Sequence, residues 1–169
     1  EVRNRGWEFS ANDRMEQSSD FSLDIGANLT TLDNEVLSLS NTDHVIDNGF
    51  YRSKSLTRTA PGHPIGAFYG YVTDGLFQTQ EEVQQANELY DDPETDGLDP
   101  YQKDGTAPGD IRFKDLNGDG QITEADQTFI GNPQPDFTYG FNLNAKYKGL
   151  SLSTFFQGSY GNDIYAAYK

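Results

Sequence analysis

Two adjoining stretches, Phe137–Tyr147 (FTYGFNLNAKY) and Leu150–Tyr160 (LSLSTFFQGSY), decide the fold, and only Lys148 and Gly149 separate them. In the first stretch the odd positions are Phe, Tyr, Phe, Leu, Ala and Tyr, while the even positions are mostly Thr, Gly, Asn and Lys. Alternation with a period of two is typical of a β-strand that has one apolar and one polar face. The two-residue connection predicts a tight hairpin in which Gly149 supplies the positive φ of the turn. The apolar faces of the two strands then merge into one surface.

The same alternation occurs near the start of the chain. In Phe21–Thr31 (FSLDIGANLTT) the apolar residues again take the odd positions, and a shorter alternating run covers Trp7–Ala11, with a turn expected over Asn12–Asp20. Eleven residues at about 3.3 Å each, tilted by about 45°, cover about 25 Å, which matches the apolar band of an outer-membrane barrel. Strands of soluble proteins are more often five or six residues long. The length therefore favours a membrane barrel, although a soluble sheet with one buried face gives the same pattern.

The middle of the chain, Leu32–Asp136, has a different character. It contains all seven Pro residues and 20 of the 27 acidic residues. Short strands are expected at Phe68–Phe77 and Ile111–Leu116, and a short helix at Glu81–Tyr90, with Thr79 near its start. A connection this long is unusual inside a compact domain but typical of the outer loops of a membrane barrel.

Composition excludes several classes of protein. The net charge of −15 disfavours nucleic acid and anionic lipid headgroups as partners, because both are negatively charged. The chain has no cysteine, so it has no disulfide and no thiolate site. No apolar run approaches the roughly 20 residues of a membrane helix. The mean hydropathy of −0.74 does not argue against a barrel, whose apolar residues occupy alternate positions.

One short segment has the pattern of a calcium-binding loop. Residues 115–126 read DLNGDGQITEAD, with oxygen-bearing residues at alternate positions and glycine at position six. Gln121 would contribute its backbone carbonyl, Thr123 would bind directly or through water, and Asp would close the sphere where Glu is usual. The preceding residues look like a strand, so no paired EF-hand helices are expected, and an ion-free turn rich in Asp, Asn and Gly remains the alternative. The predicted ligands of a structural Ca²⁺, or of Mg²⁺, are Asp115, Asn117, Asp119, Gln121 and Asp126.

The sequence shows no catalytic motif, and we expect the protein not to be an enzyme. His44 and His63 lie in loop sequence without a partner at ligand spacing, and no nucleophile elbow, phosphate-binding loop or zinc motif occurs. Several aromatic residues of the middle segment could stack on sugars, although packing within the segment is the simpler interpretation. These residues are Tyr69, Tyr71, Phe77, Tyr90 and Tyr101.

Long ordered motifs give the chain a family resemblance. Residues 62–83 (GHPIGAFYGYVTDGLFQTQEEV) and 108–165 (PGDIRFKDLNGDG through GSYGNDIY) resemble the late barrel region of SusC/RagA-type TonB-dependent receptors. The runs RNRGWEFSAND and FSLDIGANLTTLDNEVLSL are similar to the strand pair that precedes this region. The resemblance covers nearly the whole chain, so we expect the chain to be a fragment of such a receptor.

The resemblance implies an all-β fold of antiparallel transmembrane β-barrel strands, forming part of a barrel. Residues 1–31 would be a strand pair, residues 32–136 an extracellular loop region with a short helix and the EF-hand-like metal loop, and residues 137–169 a hairpin. It further implies uptake of oligosaccharides or other nutrients across the outer membrane of a Gram-negative bacterium. The implied partners are a SusD-like surface lipoprotein, TonB acting through a plug that these residues lack, the oligosaccharide ligand and membrane lipid. A soluble calcium-stabilised β-domain that binds carbohydrate or protein is the alternative.

Overall fold

A computed structural model describes residues 1–18, 20–40, 45–49, 55–88 and 99–166. Within these ranges the chain is mostly antiparallel β-structure with one short α-helix. It divides into two compact units, one made of Glu1–Ala67 and Gly131–Lys169 and the other of Phe68–Ile130. The elements are β1 (Val2–Arg5), β2 (Glu8–Ser18), β3 (Phe21–Thr31), β4 (Asp33–Val36), β5 (Ile46–Asn48), β6 (Thr57–Thr59), β7 (Ala67–Tyr71), β8 (Thr73–Leu76), α1 (Gln80–Asn87), β9 (Ile111–Phe113), a 3-10 helix (Glu124–Asp126), β10 (Gln127–Gly131), β11 (Phe137–Tyr147) and β12 (Leu150–Tyr160).

The first unit is dominated by a four-stranded antiparallel sheet in the order β12-β11-β3-β2. Strands β3, β11 and β12 have the bounds that the alternation predicts, so these three predictions are confirmed. Tyr147 pairs with both Leu150 and Phe21, and the register then runs without a shift to the far ends of the three strands. Since directly opposed residues share a face, all odd positions of β3 and β11 lie on one side with the even positions of β12.

That common face is apolar and open. The exposed fraction is 59% for Phe9, 57% for Leu152, 60% for Phe156 and 64% for Tyr160. Within the described ranges, none of the buried apolar side chains belongs to this sheet. The opposite face is rich in Ser, Asn, Thr and Gly, including Asn28 and Asn142. The sheet therefore presents two chemically different surfaces.

Two details of this sheet differ from the sequence prediction. The strand expected at Trp7–Ala11 runs from Glu8 to Ser18, so most of the expected turn is strand. The alternation is hidden there because Asp13 lies on the apolar face, opposite Ile25, but backbone pairing with β3 still holds the segment extended. In the hairpin, Lys148 has the positive φ, 52°, and Gly149 does not. The first residue of the turn takes the left-handed conformation, and its N–H donates to the carbonyl of Asp20.

Two smaller strand pairs complete the first unit. Strands β1 and β4 pair so that Asn34 donates its amide to Asn4, while Arg3 forms an ion pair with Glu35. Strands β5 and β6 pair as a second antiparallel ribbon, on which Arg58 forms a bidentate ion pair with Asp47. The Arg58 guanidinium holds the pKa of Asp47 below its usual value of 3.8.

The second unit has a small core of its own. It contains Phe77, Val83, Ala86 and Tyr101, with Ile122 packed against it. Strand β8 pairs with β9, and β7 lies beside β10. The strand expected over Phe68–Phe77 is interrupted, since the carbonyl of Val72, between β7 and β8, accepts the N–H of Lys114.

Helix α1 is shorter than predicted. Thr79 is its N-cap and accepts from the N–H of Glu82 at 3.3 Å, as its position in the sequence indicates. The helix ends at Asn87, whose side-chain oxygen accepts from the N–H of Tyr101 at 2.8 Å. The last residue of the expected helix, Tyr90, lies outside the described residues. No helix in the described ranges has the length and apolar character needed to cross a bilayer.

Candidate metal centre

The candidate loop, residues 115–126, lies between β9 and β10 in the second unit. A strand enters it, and a single 3-10 turn, Glu124–Asp126, leads out of it. The described neighbours therefore include no α-helix on either side, in agreement with the sequence. The pairing of β9 with β8 fixes the point at which the loop begins.

Asp115 organises the first half of the loop. Its Oδ1 accepts from the N–H of Gly118 at 2.6 Å, and its Oδ2 accepts from the N–H of Gly120 at 2.8 Å. Both glycines have positive φ, 80° and 86°. A Cβ at Gly118 would meet no atom within 4 Å, so backbone conformation and not space requires glycine at that position.

Asn117 and Asp119 form the next turn. The N–H of Asp119 donates to Asn117 Oδ1 at 2.9 Å, and the N–H of Gln121 donates to Asp119 Oδ1 at 3.0 Å. Asn117 Nδ2 donates to Asp119 Oδ2 at 2.8 Å. These contacts fix the side-chain oxygens of Asn117 and Asp119 against the backbone of a tight turn, and both side chains are exposed to solvent.

Asp126 is fully buried and has a role that sequence reasoning missed. Its carboxylate accepts from the N–H groups of Leu116 at 2.9 Å, Asn117 at 3.4 Å and Thr123 at 2.8 Å. Thr123 in turn caps the 3-10 helix, so Thr123 and Asp126 form a reciprocal capping box. The spacing T-x-x-D at residues 123–126 was the available signal.

The hydrogen bonds decide the charge state of Asp126. Burial raises the pKa of its carboxyl, but the N–H donors of Thr123, Leu116 and Asn117 outweigh this effect. The pKa of Asp126 consequently lies below its usual value of 3.8. The side chain is a buried carboxylate that links the beginning of the loop to its end.

The loop brings three of the predicted ligands together. Carboxylate oxygens of Asp115, Asp119 and Asp126 lie within 4.8 Å of one another. Asn117 joins them through its hydrogen bonds to Asp119. Three like charges at this separation repel, and a divalent cation with a preference for oxygen would relieve that repulsion. The donor set thus fits a hard cation such as Ca²⁺.

In the predicted ion-binding loop, the side chains of Thr123 and Gln121 make hydrogen bonds to other groups of the protein. The Thr123 hydroxyl accepts from the N–H of Ala125 at 3.2 Å and serves as a cap. The side-chain amide of Gln121 donates to the carbonyl of Pro100, outside the loop, at 3.5 Å. The predicted ligand from this residue is therefore its backbone carbonyl.

The loop is attached to the core of its unit through position eight. The N–H of Ile122 donates to the carbonyl of Tyr101 at 2.6 Å, and its side chain packs on the cluster around Phe77. The hydroxyl of Tyr101 donates to the carbonyl of Phe113 at 2.8 Å. Burial raises the pKa of Tyr101.

The four described aromatic residues considered as sugar platforms each pack against another aromatic ring of the second unit. Tyr69 lies edge-on to Phe129, and Phe77 lies edge-on to Tyr101, with ring centroids 5.3 and 6.4 Å apart. Tyr71 contacts Phe113. The backbone of His63 accepts from the N–H of Val36 in the first unit, and His44 lies outside the described residues.

A solved structure shares the fold of the chain. The structure of the RagAB peptide transporter superposes with a TM-score of 0.61 at 20% identity, covering 95% of this chain and 15% of that one. At this identity the comparison concerns the fold alone.

Sequence relatives give the family. No family model matches the chain. The TonB-dependent receptor P3 of Formosa agariphila is 34% identical over 167 residues, which are 97% of this chain and 15% of that receptor. The TonB-dependent receptor SusC of Bacteroides thetaiotaomicron is 24% identical over 97% of this chain and 14% of its own length. The chain thus spans only 14–15% of the length of these relatives. With 34% identity to a segment of TonB-dependent receptor P3 over 97% of its length, the chain is related to the TonB-dependent receptors.

Proposed function

We propose that the chain forms part of the wall and outer loop of a TonB-dependent transporter that imports oligosaccharide across the outer membrane of a Gram-negative bacterium. The chain is then a transport component and not an enzyme. The observation that carries the proposal is the apolar face of the four-stranded sheet, on which none of the described apolar side chains is buried and many are exposed.

Hydrocarbon is the solvent that suits this face. Fully burying one large apolar side chain contributes about 1.5–3 kcal/mol, so leaving a whole row in water would sacrifice much of the driving force for folding. Phe141, Phe156 and Leu152 are more than a third exposed, and Phe141 and Phe156 form a cross-strand ring pair with centroids 6.5 Å apart. Lipid would cover such a row without any further protein element.

The other face suits a water-filled interior. Arg14 lies on it and forms ion pairs with Asp24 and Glu16. Asn144 accepts a hydrogen bond from Ser153 on the neighbouring strand. Polar groups that satisfy one another on a wet surface, opposite an apolar surface, are the pattern of a barrel wall.

The end of the hairpin fits a membrane interface. Tyr147 and Leu150 are 54% and 77% exposed, and the ammonium of Lys148 lies 5.4 Å from the centre of the Tyr147 ring. Aromatic rings next to cationic side chains are favoured where hydrocarbon meets headgroups. We assign this turn to the periplasmic side and residues 32–136 to the outer side.

The proposed partners follow from the family. A SusD-like surface lipoprotein would dock on the outer side, and TonB would act through a plug outside these residues. The acidic outer segment, with 20 of the 27 acids, disfavours anionic cargo and favours neutral glycans. The loop of residues 115–126 would hold a structural Ca²⁺, or Mg²⁺, through Asp115, Asn117, Asp119, Asp126 and the carbonyl of Gln121.

Alternate-residue labelling tests the orientation of the wall. In the full-length receptor, single cysteines at Ser151 and Ser153 should react with a water-soluble maleimide through the barrel interior. Cysteines at Leu152 and Phe156 should resist that reagent in membranes and react with it only after the receptor is denatured. Equal reactivity of all four positions in intact membranes would refute the assignment of the two faces.

Deletion of the receptor gene tests the cargo. The mutant should lose growth on neutral oligosaccharides that support the parent strain, and the intact gene should restore it. Growth on peptides is the matched comparison. Loss of growth on peptides with normal growth on oligosaccharides would reject glycan as the cargo.

A further inference from the structure

A single aromatic side chain interrupts the polar face of the four-stranded sheet. Phe155 pairs with Asn142 on β11, and its side chain is 65% exposed. The next residue, Phe156, faces the opposite, apolar side, where an exposed ring is expected. The alternation does not account for an aromatic residue at position 155, because the other residues of β12 on the same face are Ser or Gln.

Phe155 borders a shallow depression in that polar face. The depression is open to solvent and has a volume of about 430 Å³. The residues of the polar face that line it are Asn28, Thr138, Gly140, Phe155, Gln157 and Ser159.

The floor of the depression is built around a glycine. Gly140 pairs with Asn28 on one side and with Gln157 on the other. A Cβ at Gly140 would lie 2.7 Å from Asn28 Oδ1, so the Asn28 amide extends across the space that a larger residue would fill. The glycine therefore leaves room for the Asn28 amide, which lies over it.

The lining of this depression differs in charge from the rest of the chain. The chain carries 27 acidic residues, yet every lining residue of this depression is uncharged. A depression at the opposite end of the same strands contains Arg14, Glu16, Asp20, Lys146 and Lys148. A flat apolar ring surrounded by neutral amides and hydroxyls complements a ligand that has both C–H faces and hydroxyl groups, and it offers no counter-charge to an ion.

We infer that Phe155, with Asn28 and Gln157, forms a subsite of the barrel interior that stacks one pyranose ring of a neutral oligosaccharide. The Phe155 ring contacts the C–H face of the sugar, and the two amides exchange hydrogen bonds with its hydroxyls. This inference rests on the proposed function, since it requires glycan to enter the barrel. It adds a place on the wall where the cargo is held.

The adjacent phenylalanines provide a matched experiment in the full-length receptor, purified in detergent. The probe is a size-selected pool of neutral oligosaccharides prepared from the polysaccharide on which the source bacterium grows, and the measured quantity is the apparent Kd. Phe155→Ala should weaken binding roughly threefold to tenfold, the range typical of a lost aromatic contact. Phe156→Ala should leave the Kd unchanged, and Phe155→Tyr should restore it.

Each result has a definite meaning. Gln157→Ala, at an exposed position where misfolding is not expected, should also weaken binding and gives a second test of the site. Wild-type binding with an unchanged Kd in Phe155→Ala would overturn the subsite and leave the transport proposal standing. Equal losses in Phe155→Ala and Phe156→Ala would reveal a structural effect and also overturn the subsite. Failure of the wild-type receptor to bind the pool would overturn both proposals.

Discussion

A charge placed on the apolar face of β12 should destabilise the protein far more than a charge placed on its polar face. Phe156 is six residues from Leu150, so at about 3.3 Å per residue and a tilt of about 45° it lies about 14 Å from the turn along the membrane normal. That position is near the middle of an apolar band of about 25 Å. Phe155→Arg tests the neighbouring position on the polar face.

The expected loss of stability depends on how deep the substituted side chain lies in the membrane. Relative to Phe156→Ala, Phe156→Arg should destabilise the barrel by about 2–4 kcal/mol, the cost of a cation at the bilayer midplane. This equals a change of about 30-fold to 1000-fold in the folding equilibrium. Tyr160→Arg lies about 23 Å from the turn, near the outer interface, and should cost about 0–1 kcal/mol against Tyr160→Ala. Phe155→Arg should differ from Phe155→Ala by no more than about 0.5 kcal/mol.

The assay is denaturant unfolding of the full-length receptor in lipid vesicles, followed by the loss of its heat-resistant band on gels. Each Arg variant is compared with the Ala variant at the same position, which removes the effect of lost packing. The reasoning is refuted if Phe156→Arg is no less stable than Phe156→Ala. It is also refuted if Phe155→Arg is the more destabilised of the two Arg variants, because the apolar face would then not lie in hydrocarbon.

Three further predictions concern the outer segment. Asp115→Asn and Asp119→Asn should each weaken Ca²⁺ binding by at least tenfold in calorimetric titration of the chelated receptor, whereas Asp104→Asn should not; absence of heat from the wild type at millimolar Ca²⁺ would reject the site. Asp126→Asn should destabilise the second unit by about 1–3 kcal/mol even without Ca²⁺, because an amide cannot accept all the N–H donors that the carboxylate accepts. Limited proteolysis measures this, with the exposed Glu124→Gln as control, and equal protection of the two variants would contradict it. Deletion of residues 81–107 from the full receptor should impair uptake or lipoprotein docking, and normal growth on the cognate glycan together with normal docking would count against that role.

The long strands were predictable because their signal is local and repeated. In Phe21–Thr31 and Phe137–Tyr147 every second residue is apolar or nearly so, and a strand must send alternate side chains to opposite faces. The observed bounds follow directly. The capped start of α1 at Thr79 was predictable for a similar reason, since capping depends on residues within one turn.

Other features depend on partners distant in sequence. Strand β2 continues to Ser18 through a polar run with no clear alternation, because β3 supplies backbone partners. Helix α1 ends at Asn87 where Tyr101, fourteen residues later, donates to its side chain. The two-residue turn put the positive φ on Lys148, although residue type alone favours Gly149. The conformational preferences of neighbouring residues do not predict contacts between residues that are distant in the sequence.

The sequence by itself determined that the chain contains long strands with two chemically different faces, and that residues 115–126 match the residue pattern of a calcium-binding loop. Both are patterns of residues that lie close together in the sequence, so they can be recognised without knowledge of the fold. Only the tertiary structure decided that Asp126 is buried and holds three backbone N–H groups, and that Phe155 stands beside a glycine floor among neutral amides. Those arrangements arise where separate segments meet, because the register between strands and the closure of the loop bring together groups that the linear order keeps apart.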